Sequence, residues 1–157
     1  MKRVLVVLVV GGCGGSSASG GDPIQMAEGA DLCQTFATHA TSCGWGGNIG
    51  AYDWNCGEAL AVWREDAFRE FVDCATALPC SGNGTTCDQQ TRGAVTPLDY
   101  HDTYASHCNA RVTECDLGLA MCDASTWELY TRSIVTQLTA CIDKPCAEIS
   151  ACISSVL

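Results

Sequence analysis

Basic side chains are scarce in this chain: 8 Lys and Arg stand against 18 Asp and Glu, a formal net charge of -10. A surface of that sign repels phosphate backbones and anionic headgroups, which argues against nucleic acid as a partner and against charge as a means of membrane attachment. Long hydrophobic runs are missing as well. The longest, residues 4–10, falls far short of the ~20 residues that cross a bilayer core. Outside it no apolar–polar alternation reaches five residues, so a β-rich scaffold is disfavoured. Nucleophile elbow, HExxH and EF-hand patterns are absent, and no catalytic residue, metal ligand or cofactor is assigned. No two cysteines lie two or three residues apart, which removes the thioredoxin-like motif and the usual zinc pair.

Cysteine itself is abundant, at 13 of 157 residues. Twelve fall into two matching sets: Cys33, Cys43, Cys56, Cys74, Cys80, Cys87, then Cys108, Cys115, Cys122, Cys141, Cys146, Cys152. Both sets carry a long gap between the third and fourth members followed by two short ones, and Pro79-Cys80 recurs as Pro145-Cys146. The pattern reads as a duplicated, oxidised unit. Each repeat is small, and small units bury a low fraction of their surface, a deficit that disulfides offset in oxidising compartments.

Cys13 stands apart, after Lys2-Arg3, a run of Val and Leu, and Gly11-Gly12. A basic start, an apolar stretch and small residues at the cut make an export signal. Val10-Gly11-Gly12-Cys13 resembles a bacterial lipobox. That resemblance implies cleavage before Cys13 and diacylglycerol on its thiol, hence a lipid anchor at the bacterial cell envelope, on the periplasmic face or the cell surface. With Cys13 acylated, an even twelve remain to pair. Residues 14–21, all Gly, Ser or Ala, form a flexible tether with a reach of roughly 16 Å. Loss of Lys2 and Arg3 leaves six basic residues against 18 acids, a formal charge of -12. The expected organisation is signal peptide 1–12, lipidated Cys and tether 13–22, repeat one 23–87, linker 88–96 and repeat two 97–157.

Within the repeats the fold class is all-α, a tandem of disulfide-stapled helical hairpins with two to three helices each. Asp22-Pro23 and Thr96-Pro97 are helix-start signals, predicting helices over about 23–43 and 97–115. Aligned on Cys74 and Cys141, Leu60 matches Trp127, Trp63 matches Tyr130, Ala67 matches Ile134 and Phe71 matches Leu138. The 3–4 spacing is one apolar helical stripe and predicts helices over about 58–77 and 126–142. A third helix follows Pro145. The matching stretch Ser81-Gly82-Asn83-Gly84 favours a turn, leaving a third helix in repeat one in doubt.

Six cysteines permit 15 pairings. An up-down helix pair with a short returning helix brings together the cysteines flanking each turn. It predicts Cys115–Cys122, Cys141–Cys146 and Cys108–Cys152, and by analogy Cys43–Cys56, Cys74–Cys80 and Cys33–Cys87, with no bridge between repeats.

Three constellations invite chemistry. In cysteine count and helical character the chain is similar to bacterial copper-storage bundles, which implies a thiolate metal store; the absent close thiolate pairs favour disulfides instead. His101-Asp102 with Tyr104 resembles the His-Asp segment of secreted phospholipases A2, which implies a hydrolase with His101 activating water; the simpler reading is polar residues on the first turns of a helix. Between its second and third cysteine repeat one carries a glycine-rich loop with Trp45, Tyr52 and Trp54, where repeat two has only 116–121. Aromatic loops on rigid scaffolds are common binding surfaces; alternatively the indoles fold back over the core. The expectation is a lipid-anchored, non-enzymatic binding or structural module with a protein or cell-envelope ligand, the hydrolase and the metal store being its alternatives.

Overall fold

The computed structural model describes residues 21–157 apart from 47, 50 and 51. The leader, Cys13 and most of the tether lie outside the described residues. The first half is α1 (Met26–Cys43), a two-stranded hairpin of β1 (Asn48–Ile49) and β2 (Tyr52–Asp53), α2 (Cys56–Val62), α3 (Glu65–Ala77) and α4 (Gly84–Ala94). The second is α5 (Asp99–Arg111), a 3-10 turn (Leu119–Cys122), α6 (Ala124–Trp127), α7 (Arg132–Ile142) and α8 (Cys146–Val156). The fold is all-α and disulfide-rich, with a short two-stranded hairpin as the one sheet among the described residues.

The apolar stripe decides which faces are buried. On α3 it comprises Ala67, Phe68, Phe71, Val72 and Ala75, and on α7 Val135, Leu138, Cys141 and Ile142. Helix α3 packs between α1 and α4, and α7 packs between α5 and α8. Each half thus surrounds its own apolar cluster, although Leu129 of the second half is buried in the cluster of the first and Tyr130 touches both.

Three expectations require correction. First, neither long helix is continuous. The chain leaves the helix at Trp63-Arg64, where φ/ψ are extended, and again before Thr131. The break reverses direction. Helix α2 runs back toward the start of α1, with Leu60 against Gly29, and α3 then returns along α1, from Arg69 paired with Glu28 at 2.6 Å to the Leu78 carbonyl 2.9 Å from His39 Nε2. Second, residues 88–94 are not linker. They complete α4, the third helix of the first half, which Asn83 caps by accepting from Thr85 N–H at 3.0 Å; the connection is residues 95–98. Third, α1 begins at Met26 and α5 at Asp99, downstream of the Asp-Pro and Thr-Pro signals. Gly21 and Asp22, assigned to the tether, are tied into the fold.

The reversal also overturns all six expected bridges: Cys43–Cys56, Cys74–Cys80, Cys33–Cys87, Cys115–Cys122, Cys141–Cys146 and Cys108–Cys152. The pairs are Cys33–Cys56, Cys43–Cys80, Cys74–Cys87, Cys108–Cys122, Cys115–Cys146 and Cys141–Cys152. In both halves the connectivity is first to third, second to fifth, fourth to sixth, and no bridge joins the halves. Gly44, left-handed at φ 69°, ends α1, and the loop folds back along that helix, carrying Cys56 to Cys33 instead of Cys43. Because α3 then returns to the end of α1, Cys43 meets Cys80. The last helix folds back on its predecessor, so the fourth cysteine meets the sixth.

The two breaks pair with each other. Trp63 and Tyr130 form an antiparallel bridge, Arg64 N–H donates to Leu129 O at 2.8 Å, and Thr131 N–H donates to Val62 O at 2.9 Å. Val62, Trp63 and Arg64 are the counterparts of Leu129, Tyr130 and Thr131, so the seam has pseudo-two-fold character, the arrangement of an isologous dimer within one chain. The N-terminal segment crosses it: Asp22 O accepts from Glu65 N–H at 2.9 Å and Gly21 O from the equivalent Arg132 N–H at 3.2 Å. Arg64, 3% exposed, locks the seam. Its guanidinium grips both oxygens of Asp66 at 2.6 Å and donates to the carbonyls of Thr96 at 2.8 Å and Glu128 at 3.2 Å.

Candidate functional site

The aromatic loop folds onto the core. Trp54 is 6% exposed, edge-on to Phe36 at 4.8 Å and tilted over Phe71 at 4.5 Å. Half-buried Trp45 packs edge-on against His39, and its Nε1–H donates to Cys80 O at 2.9 Å. Tyr52 leans on Phe71, and its hydroxyl donates to Asp88 at 3.2 Å. Burial, with the Asp88 charge behind it, pushes the Tyr52 phenol up to about 12. As an exposed recognition loop, the Trp45, Tyr52 and Trp54 set is therefore corrected: these rings chiefly pack.

Their packing builds a groove instead. Between α1 on one side and the hairpin and start of α2 on the other lies a cleft of about 730 Å³. Phe36, Ala40, Trp54 and Leu60 supply an apolar floor, while Gln34, Thr41, Asn48, Asp53 and Asn55 supply a polar rim. The α1 wall is made of Ala30, Cys33, Ala37 and Thr41, spaced three to four apart on one helical face, and the Cys33–Cys56 bridge joins the two walls. Asn55 is held by its own capping role, accepting from the N–H groups of Gly57 and Glu58. An apolar floor under amide and hydroxyl groups and the Asp53 carboxylate suits a ligand with an apolar body and polar groups that donate hydrogen bonds. Of the three loop aromatics expected to bind a ligand, only Trp54 lines this groove, in its floor, and the α1 wall was not foreseen. The recurrence of small residues along α1 was the available signal.

His101 is placed differently from the phospholipase resemblance. Its side chain is fully buried. Nδ1 accepts from Leu98 N–H at 2.8 Å, capping α5, and Nε2–H faces the Tyr130 carbonyl at 3.3 Å. Both ring nitrogens are thus engaged by backbone at the seam, and Asp102 points to solvent. Burial, reinforced by the Arg64 charge, holds His101 below its ordinary pKa. Such a ring has no nitrogen left to take a proton from water.

Glu114, Cys115 and Cys146 are close enough to suggest a metal site. The two sulfurs are bonded to each other, however, and thiolate is the ligating form. All twelve cysteines among the described residues are likewise committed to disulfides, which leaves no thiolate ligand among those residues. No helix among the described residues is long and apolar enough to cross a membrane. Compared with protein-family models, with curated proteins and with solved structures, the chain matches none.

Proposed function

We propose that this protein is an extracytoplasmic, disulfide-stapled helical binding module, held at the bacterial cell envelope through a lipid on Cys13, and that the groove beside α1 receives its ligand. The observation that carries this reading is the groove itself: an apolar floor under a polar rim of amides, a hydroxyl and the Asp53 carboxylate, with its walls joined covalently by Cys33–Cys56. A preorganised site loses little entropy on binding. The six bridges support an oxidising location, and the lipobox resemblance supports the anchor.

Ala37 is exposed and lines the groove, so Ala37→Trp fills the cleft while leaving the core intact. The oxidised protein is incubated with envelope extract from the producing cell. A component retained by wild type and lost by Ala37→Trp, at unchanged melting temperature, supports the groove; equal retention by both removes it. Anchoring is read separately: labelled fatty acid enters the wild-type chain and is absent from Cys13→Ser.

A further inference from the structure

The disulfides differ in their surroundings. In each half, one bridge joins a cysteine at or just past the end of the first helix to the cysteine of the Pro-Cys pair: Cys43–Cys80 and Cys115–Cys146. Cys80 and Cys146 are exposed and their partners are half-buried; in Cys33–Cys56 both members are half-buried, and Cys87, Cys108, Cys122 and Cys141 anchor the remaining three in the cores. Cys43–Cys80 and Cys115–Cys146 each also sit beside a basic side chain four residues before the second cysteine of their half. In the first half it is His39, with Nε2 3.8 Å from Cys43 Sγ. In the second it is Arg111, whose Nη2 lies 3.2 Å from Cys115 Sγ and 3.7 Å from Cys146 Sγ. Arg111 is fixed there: Nη1 donates to the carbonyls of Ile142 and Lys144, and Nε lies 3.6 Å from Glu114.

We propose that Cys115–Cys146 is a thiol–disulfide exchange site, opened selectively by a dithiol. A thiolate attacks one sulfur of a disulfide and expels the other, and the exchange is faster the better the leaving thiolate is stabilised. Here an incoming thiolate attacks Cys146 Sγ. The S–S bond breaks, and its electron pair leaves on Cys115 Sγ, facing the Arg111 guanidinium, which stays charged at any relevant pH. The mixed disulfide on Cys146 is resolved by the second thiol of the same reagent. Cys146 leaves as a thiolate at the first turn of α8, where the helix N-terminus favours negative charge. In total the dithiol loses two electrons and two protons and becomes a disulfide, and Cys115 and Cys146 end as thiols. Opening this bridge unties the first residue of α8 from the turn after α5, while Cys141–Cys152 still holds α8 to α7. Cys43–Cys80 is the slower counterpart: its neighbour is a histidine, whose Nε2 is also engaged by the Leu78 carbonyl at 2.9 Å.

The test uses the oxidised native chain, limiting dithiothreitol, acid quench, alkylation and peptide mapping over time. Cys115 and Cys146 are expected to be labelled first. Arg111→Gln is expected to slow their labelling by roughly fivefold, the effect of one charge near 4 Å in a watery setting, and Arg111→Lys to keep most of the rate. The unmodified Cys43–Cys80 bridge is the internal clock. Labelling of any other bridge ahead of Cys115–Cys146 in the wild-type chain overturns the proposal, as does an Arg111→Gln rate, relative to that clock, equal to wild type. If Arg111→Gln does not fold, the wild-type order and the Arg111→Lys rate decide.

Discussion

Trp54 and Trp45 occupy the same loop but do different work. Trp54 lies among Phe36, Trp63, Phe68 and Phe71, so Trp54→Ala opens a cavity and is expected to cost about 3–5 kcal/mol. Trp45→Ala, at a half-buried site, should cost clearly less; urea denaturation of both variants checks the order. His101 makes stability depend on pH. Its folded pKa is depressed, so the unfolded chain binds a proton that the native state resists. Its contribution is therefore complete above the ordinary histidine value of ~6.5 and is lost as pH falls below it. His101→Gln should flatten the change in urea midpoint between about pH 7.5 and 5.5. Glu128, 5% exposed and 3.7 Å from Arg92, acts in the opposite sense. Burial raises its carboxyl, so its contribution is complete below the ordinary carboxylate range and diminishes as pH rises through the folded value. The Trp54 and His101 roles were hidden in the sequence for one reason: a loop aromatic or a helix-start histidine has the same local signature whether it faces solvent or core.

At the scale of elements, helix α4 shows how composition misleads. Its Gly84 looks like a turn former, yet it opens a helix because Asn83 caps it and the hairpin presses against it. A Cβ there would lie 2.8 Å from Tyr52 Cδ1 and 3.0 Å from Ile49 Cβ. Gly84→Ala should therefore destabilise by about 1–3 kcal/mol through overpacking. Exposed Gly93, in the same helix, has nothing within 4 Å of its would-be Cβ, so Gly93→Ala should stabilise by roughly 0.5–1 kcal/mol. Thermal melts of the two variants moving in opposite directions would check this pair. The apolar stripe through Leu60, Trp63, Ala67 and Phe71 was legible because burial demands helical spacing, and all four residues are buried. The interruption at Trp63-Arg64 was not legible. Neither residue breaks helices by propensity, and the extended backbone is held by hydrogen bonds to a segment more than 60 residues away.

For the whole molecule, the seam holds the two small cores to each other, and the bridges hold each core within its own half. Arg64→Ala leaves the Thr96 and Glu128 carbonyls without this donor, at roughly 1–3 kcal/mol for each buried group that stays unpaired. A fall in the denaturation midpoint of that size, with the disulfides intact, would assign the loss to the seam. The bridges act on the unfolded chain, at about 2–4 kcal/mol each in the chain-entropy picture. Complete reduction and alkylation should abolish the helical circular dichroism at 37 °C, since neither half has a large core to fall back on.

Twelve cysteines in two sets, four prolines in matching places and two stripes at helical spacing were enough to determine an oxidised, duplicated, all-α chain, because each is a local or periodic signal that any packing must respect. Which cysteine meets which, where the helices reverse and where the groove lies were decided only in three dimensions. The reversal is held by the pairing of Val62 and Arg64 with Thr131 and Leu129, a contact between backbones that leaves no mark on side-chain composition, and the groove by the loop that folds back along α1 after Gly44.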